Sequence, residues 1–102
     1  MKARIVESRE VRKSLDKAPL EVLHAYEIWA RLIEEHGTII LRDYKGYHDE
    51  KLEGGWKGFR SSRLNKKWRV IYSSEKRGEK AELLQIEIVE VRKVTPHDYR
   101  RK

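Results

Sequence analysis

Apolar residues along the chain fall into two periodicities, and the switch between them divides the sequence. Val22, Tyr26, Trp29 and Ile33 recur at i, i+4, i+7 and i+11, with Ala25 and Leu32 beside them and most charges elsewhere. That spacing predicts an amphipathic helix with one buried stripe, opened at Pro19, where no N–H partner is needed, and closed by Gly37. Before it, "ARIVE" (Ala3 to Glu7) reads as a short strand. Ser8 can cap a first helix along which Val11, Leu15 and Ala18 keep helical spacing. "TIIL" (Thr38 to Leu41) is apolar but short, a strand or a packed connection, and "RDYKGYHDEKLEGGWKG" is a long, charged, glycine-rich loop of the kind that often carries function.

From Gly58 onward the period shortens to two. "GFRSSRLNKKWRVIY" predicts two strands, near 58–65 and 68–75, turned by Asn65, Lys66 and Lys67. A second turn follows around Gly78. In "ELLQIEIVEVRKV", Leu84, Ile86 and Ile88 share one parity and Val89 and Val91 the other, which predicts a bulge or twist near 88. Thr95-Pro96 stops regular pairing and leaves "HDYRRK" as a terminal turn or helical stub. Strand, two helices, then three strands joined by short turns predict a single α+β domain over 1–102. Its small antiparallel sheet of about four strands is expected to carry the two N-terminal helices on one face.

Charge changes the picture of the hairpin. The chain of 102 residues is 40% charged with a net charge of +7. Residues 1–56 hold 10 Lys+Arg against 11 Asp+Glu (net −1), residues 57–80 hold 9 against 2 (net +7), and residues 81–102 hold 5 against 4 (net +1). The excess therefore sits on the hairpin. Such a field attracts polyanions, nucleic acid foremost; the plainer reading is a solvated Lys/Arg surface. There is no cysteine, so disulfides and thiolate metal sites are excluded. No apolar run reaches membrane-spanning length and the start lacks a signal-peptide core, so a soluble, cytoplasmic protein is expected.

Side chains alternate across a strand, so Phe59, Ser61 and Arg63 face one way and Arg60, Ser62 and Leu64 the other. Arg69 shares a parity with Ile71, against Trp68, Val70 and Tyr72. An arginine inside so apolar a run either pairs with an acid, Glu50 or Asp49, or points into an anionic site that its planar fork fits. The loop adds His48, Asp49 and Glu50, and the tail adds Lys93, His97 and Tyr99. Together these offer acids and bases (Glu50, His48, His97), a phenol (Tyr99) and phosphate clamps (Arg63, Arg69, Lys93). RNA cleavage without a metal needs such a set: a base for the 2′-hydroxyl, cations for the crowded phosphorane, an acid for the departing 5′-oxygen. Lys57, Arg60, Lys66 and Lys67, with His48, would supply RNA contacts. Adjacent residues on a loop converge poorly on a metal, so neither metal nor cofactor is expected, and His24 and His36 receive no role.

"GFRSSRLNKKWRVIY" resembles the G-F/Y-x-S-x-R-(I/L)-(N/T)-x-x-(W/H)-R-(L/I/V)-x-Y hairpin of the RelE/ParE toxin superfamily, nearest its YoeB-like and HigB-like branches. "EKLEGGWKG" resembles the acidic loop before that hairpin and "VRKVTPHDYRR" the basic final strand and tail, so the likeness spans roughly 44–102. It implies a type II toxin that enters the ribosomal A site, touching rRNA, and cuts mRNA, held in check by an acidic antitoxin. Residue by residue, it implies Glu50 as general base, Arg63 and Arg69 on the scissile phosphate, and Lys93 where RelE has a catalytic arginine. Tyr99 matches a terminal tyrosine, His97 loosely matches a tail histidine, and His48 a further catalytic histidine of HigB-like members. Two rivals stand beside this reading: a ParE-like inhibitor of DNA gyrase that cuts nothing, and a non-catalytic RNA-binding module.

Overall fold

The computed structural model describes residues 2–78 and 86–97. Strand β1 (Ala3–Glu7) leads into α1 (Arg9–Lys17) and α2 (Leu20–His36); short helical turns at Thr38–Asp43 and Lys45–Tyr47 follow. Then come β2 (Glu50–Lys51), a turn at Gly54–Trp56, β3 (Arg60–Arg63), β4 (Arg69–Arg77) and β5 (Ile86–Thr95). The α+β layering expected from the sequence is present, with a sheet of five strands in the order β1-β5-β4-β3-β2. Strands β2 to β5 are antiparallel neighbours, while β1 lies parallel to β5, from Ala3 opposite Glu87 to Glu7 opposite Val91. A parallel neighbour needs a long crossover, and here the two helices begin it. The segment read as a strand or packed connection, Thr38 to Leu41, is helical, with Leu41 buried.

Both helices start and stop where local chemistry dictates. The Val11 N–H donates to Ser8 Oγ at 3.2 Å, satisfying one orphan donor of α1. Ser8→Ala is expected to cost about 1 kcal/mol in urea denaturation, and Ser8→Asp to retain the wild-type midpoint. At the end of α2, Gly37 takes φ 84° and its N–H reaches Ile33 O at 2.7 Å. That left-handed φ is the reason for a glycine there. The predicted stripe Val22, Tyr26, Trp29 and Ile33 is wholly buried, and it packs with Val11 and Leu15 on Val70, Tyr72, Val89, Val91 and Val94. Tyr26 stacks on Trp29, which meets the Tyr72 ring edge-on at 5.4 Å.

The parity break in β5 falls elsewhere than expected. Val89 and Val91 face the helices, as does Val94, so the alternation slips by one residue at Arg92. The register shows it: Tyr72 pairs with Val91 but Ile71 pairs with Lys93. The bulge is therefore at Arg92, not near 88. Ile86 and Ile88 misled the parity count because they are half-buried on the opposite face, so both faces of β5 are apolar there. Leu84 lies outside the described residues.

Glu87 ties the segment after α2 to the sheet. Its carboxylate accepts the Thr38 N–H at 2.9 Å and the hydroxyls of Thr38 and Ser74. Burial alone would raise its pKa, but the Ser74 and Thr38 hydrogen bonds outweigh burial and hold it below the ordinary 4.5. A carboxylate depressed in the fold contributes its stabilisation above the unfolded value and loses it as pH falls through the lower folded value. Glu87→Gln is thus expected to lower the urea midpoint at pH 7 and to flatten the loss of stability below about pH 4.5, read from a pH series of unfolding curves.

Candidate nucleic-acid site on the open sheet face

Pairing register assigns each candidate residue on a strand to a face. Opposite the helices, one row across the sheet runs Glu50, Ser61, Ile71, Lys93, and the next runs Arg63, Arg69, Thr95. Glu50 and Lys93 thus end one row, about 14 Å apart along three strand spacings, with Arg63 and Arg69 in the row beside them. Arg63 and Arg69 are direct cross-strand partners. Like charges placed so repel, and both arginines sit low in the structure: Arg69 is 7% exposed, and Arg63 Nε is buried without a hydrogen-bond partner among the described residues. An oxyanion between two guanidinium forks would relieve that repulsion.

The hairpin turn and the end of β5 rim the same end of the sheet. Asn65 Oδ1 accepts the Lys67 and Trp68 N–H groups at 2.9 and 2.7 Å, closing the turn and leaving Lys66 and Lys67 exposed. His97 follows two residues after Thr95, its N–H on Thr95 Oγ1 at 3.1 Å. At the other margin, the Leu52 N–H donates to Phe59 O at 3.0 Å and folds the 52–59 segment back on itself. Trp56 meets Phe59 edge-on, and the Arg92 guanidinium lies 5.8 Å from the Phe59 ring centre. Lys57 is exposed after the Gly54–Trp56 turn. Arg92, given no role from the sequence, is a cation beside Lys93 because the bulge puts it there; the switch from Val89 and Val91 to Val94 was the available signal.

Two expected RNA contacts lie apart from this face. Arg60 pairs with Tyr72 and points to the helical side, where its Nε donates to Asp49 Oδ2 at 3.2 Å. Burial opposes the Arg60 charge, but Asp49 and Tyr72 hold its pKa above the ordinary value. Asp49 also accepts the Tyr72 and Ser62 hydroxyls, at 2.6 and 3.1 Å. Asp49, one of the two acids considered as an ion-pair partner for Arg69, is bound to Arg60. His48 has left-handed backbone (φ 45°, ψ 46°) and lines a cavity on the helical side, so His48, Asp49 and Glu50 do not act as one cluster. Tyr99 lies outside the described residues.

No family model matches the sequence, and no curated protein matches it. Solved structures do resemble it. The YoeB/ParE toxin from Agrobacterium tumefaciens superposes with a TM-score of 0.65 at 15% identity, over 93% of this chain and 99% of that one. YafQ from E. coli gives a TM-score of 0.65 at 17% identity, over 91% of each chain. A chain of the YoeB–YefM complex from Staphylococcus aureus gives 0.62 at 14% identity, over 96% of this chain and 100% of that one. The fold is that of the RelE/ParE toxins, as the hairpin motif implied. No helix among the described residues is long and apolar enough to cross a membrane.

Proposed function

We propose that the protein is the toxin of a type II toxin–antitoxin pair, a cytoplasmic endoribonuclease that cuts mRNA in the ribosomal A site without a metal. The observation that carries this reading is the direct pairing of Arg63 with Arg69, one row from Glu50 and Lys93, on the sheet face opposite α1 and α2. In the proposed reaction Glu50 takes the proton of a ribose 2′-hydroxyl. The 2′-oxygen bonds to phosphorus while Arg63, Arg69 and Lys93 hold the phosphorane charge, and the bond to the 5′-oxygen breaks. His97 or Tyr99 protonates that oxygen, leaving a 2′,3′-cyclic phosphate and a 5′-hydroxyl. Neighbours of the same fold are solved with antitoxins, YefM among them. The net +7 of residues 57–80 fits an acidic antitoxin here, and equally the phosphates of rRNA and mRNA.

Primer extension on translated mRNA tests this. Wild-type protein is expected to produce ribosome-dependent breaks. Glu50→Gln should reduce them by about 10²–10⁴-fold, the usual worth of a general base, with an unchanged circular dichroism spectrum. Intact mRNA alongside failed supercoiling would point to the gyrase reading. RNA binding with no cleavage, indifferent to Glu50, would leave a passive binding module.

A further inference from the structure

The open-face site leaves a second basic feature unused. A cavity of about 690 Å³ lies between the turns at 38–47 and the helical side of the sheet. Four cations line it, Arg42, Lys45, Arg60 and Lys76, against two carboxylates, Asp49 and Glu87, an excess of two positive charges (4 − 2) before His36 and His48 are counted. Both carboxylates are engaged: Asp49 by Tyr72, Ser62 and Arg60, Glu87 by Thr38 and Ser74. Arg42, Lys45 and Lys76 have no ion-pair partner within 4.0 Å among the described residues, and all three are exposed. Arg60 is anchored through Nε while its side chain stays 40% exposed.

The same cavity has an aromatic wall. Tyr44 is 46% exposed, and its ring is braced edge-on by Tyr47 with centroids 6.2 Å apart. A braced, half-exposed ring beside several cations matches what a single-stranded nucleotide needs: a surface for the base and donors for the phosphate. The left-handed backbone at His48, uncommon for a residue other than glycine, carries the chain from this cavity to the other side. His48 and Asp49 line the cavity, and Glu50, the next residue, stands in the open-face row.

We propose that this cavity is a second phosphate subsite, taking a phosphate ester with its base against Tyr44 and its phosphoryl oxygens on Arg42, Lys45, Arg60 and Lys76. It deepens the RNA reading above: a strand bending round the β2 edge would leave one phosphate on Arg63 and Arg69 and a flanking one here. The same chemistry would hold a free mononucleotide. The competing occupant is an acidic peptide.

The test is an NMR titration of the full chain with three probes: a single-stranded RNA hexamer, adenosine monophosphate and a short poly-glutamate. With a phosphate probe, amide shifts are expected over Thr38–Lys45, His48 and Lys76, and they should persist in Arg63→Ala/Arg69→Ala. Arg42→Ala/Lys45→Ala/Lys76→Ala, if its circular dichroism is unchanged, should weaken hexamer binding roughly tenfold and make the slope of log K on log salt shallower by about 2. Shifts with the monophosphate alone would identify a free nucleotide as the source, and shifts with the hexamer a flanking nucleotide of RNA. Should the triple variant unfold, Tyr44→Ala and Lys76→Glu are titrated instead, with the same loss expected. No shift at these residues with either phosphate probe, shifts with poly-glutamate alone, or variants that bind RNA as wild type does would overturn the proposal. Primer extension runs in parallel: lost cleavage with cavity shifts intact removes the nuclease reading, and absent shifts with cleavage intact remove the subsite alone.

Discussion

Arg63→Met is expected to lower ribosome-dependent mRNA cleavage by about 10²–10³-fold without lowering the urea midpoint. Methionine keeps the apolar stem of the arginine and deletes only the guanidinium, so packing is largely preserved. In the proposed mechanism, what is lost is a donor aimed where negative charge develops. What is relieved is repulsion from Arg69, its direct partner across β3 and β4. Like charges opposite one another in a sheet are destabilising, so the unfolding free energy should hold or rise by up to about 1 kcal/mol. Arg69→Lys separates charge from geometry. Lysine keeps the positive charge but presents a point rather than a fork, so cleavage should fall between wild type and Arg63→Met. A variant that loses stability together with cleavage would show that Arg63 is held by a structural partner. Undiminished cleavage in Arg63→Met would remove the pair from the site altogether.

The rows of the open face follow from alternation, and alternation is written in the sequence. Phe59, Ser61 and Arg63 against Arg60, Ser62 and Leu64 separates the two sides of β3, and the apolar Val70 and Tyr72 fix which side of β4 meets the helices. The stripe of α2 was equally legible, because Val22, Tyr26, Trp29 and Ile33 have no other face to occupy. Partners are harder to read than faces. The place of β1 beside β5 depends on a crossover whose closure no local residue encodes. The bulge at Arg92 was hidden because apolar residues occupy both parities of β5, so the count had no contrast to register the slip. His48 and Glu50 looked like one acid–base group because they are two residues apart. A left-handed turn at His48 and a two-residue strand at Glu50–Lys51 put them on different sides of the sheet. Arg60 looked like a free cation because its partner, Asp49, stands eleven residues away in an irregular segment.

Asp49→Ala is expected to have the largest effect on stability of any single change near the site, about 3 kcal/mol in urea denaturation. The carboxylate is 10% exposed and accepts three donors, the Tyr72 and Ser62 hydroxyls and Arg60 Nε, with Tyr72 and Ser62 wholly buried. Removing it leaves two buried hydroxyls unsatisfied and a part-buried guanidinium without its counter-charge, each a desolvation penalty with nothing set against it. Burial first, then the charge and hydrogen bond of Asp49, push the Tyr72 phenol far above its ordinary value, so it remains a donor throughout the working pH range. Asp49→Asn keeps one acceptor oxygen and should cost less, and Tyr72→Phe about 1 kcal/mol. Because the two residues share the network, Asp49→Ala and Tyr72→Phe together should cost clearly less than their sum. The same anchor holds the segment leading into β2, whose pairing with β3 rests on Glu50 opposite Ser61 and Lys51 opposite Arg60. Freed of Asp49, that short strand should detach readily, and cleavage should fall although Glu50, the proposed general base, is still present. An Asp49→Ala protein with wild-type stability would refute the anchoring role.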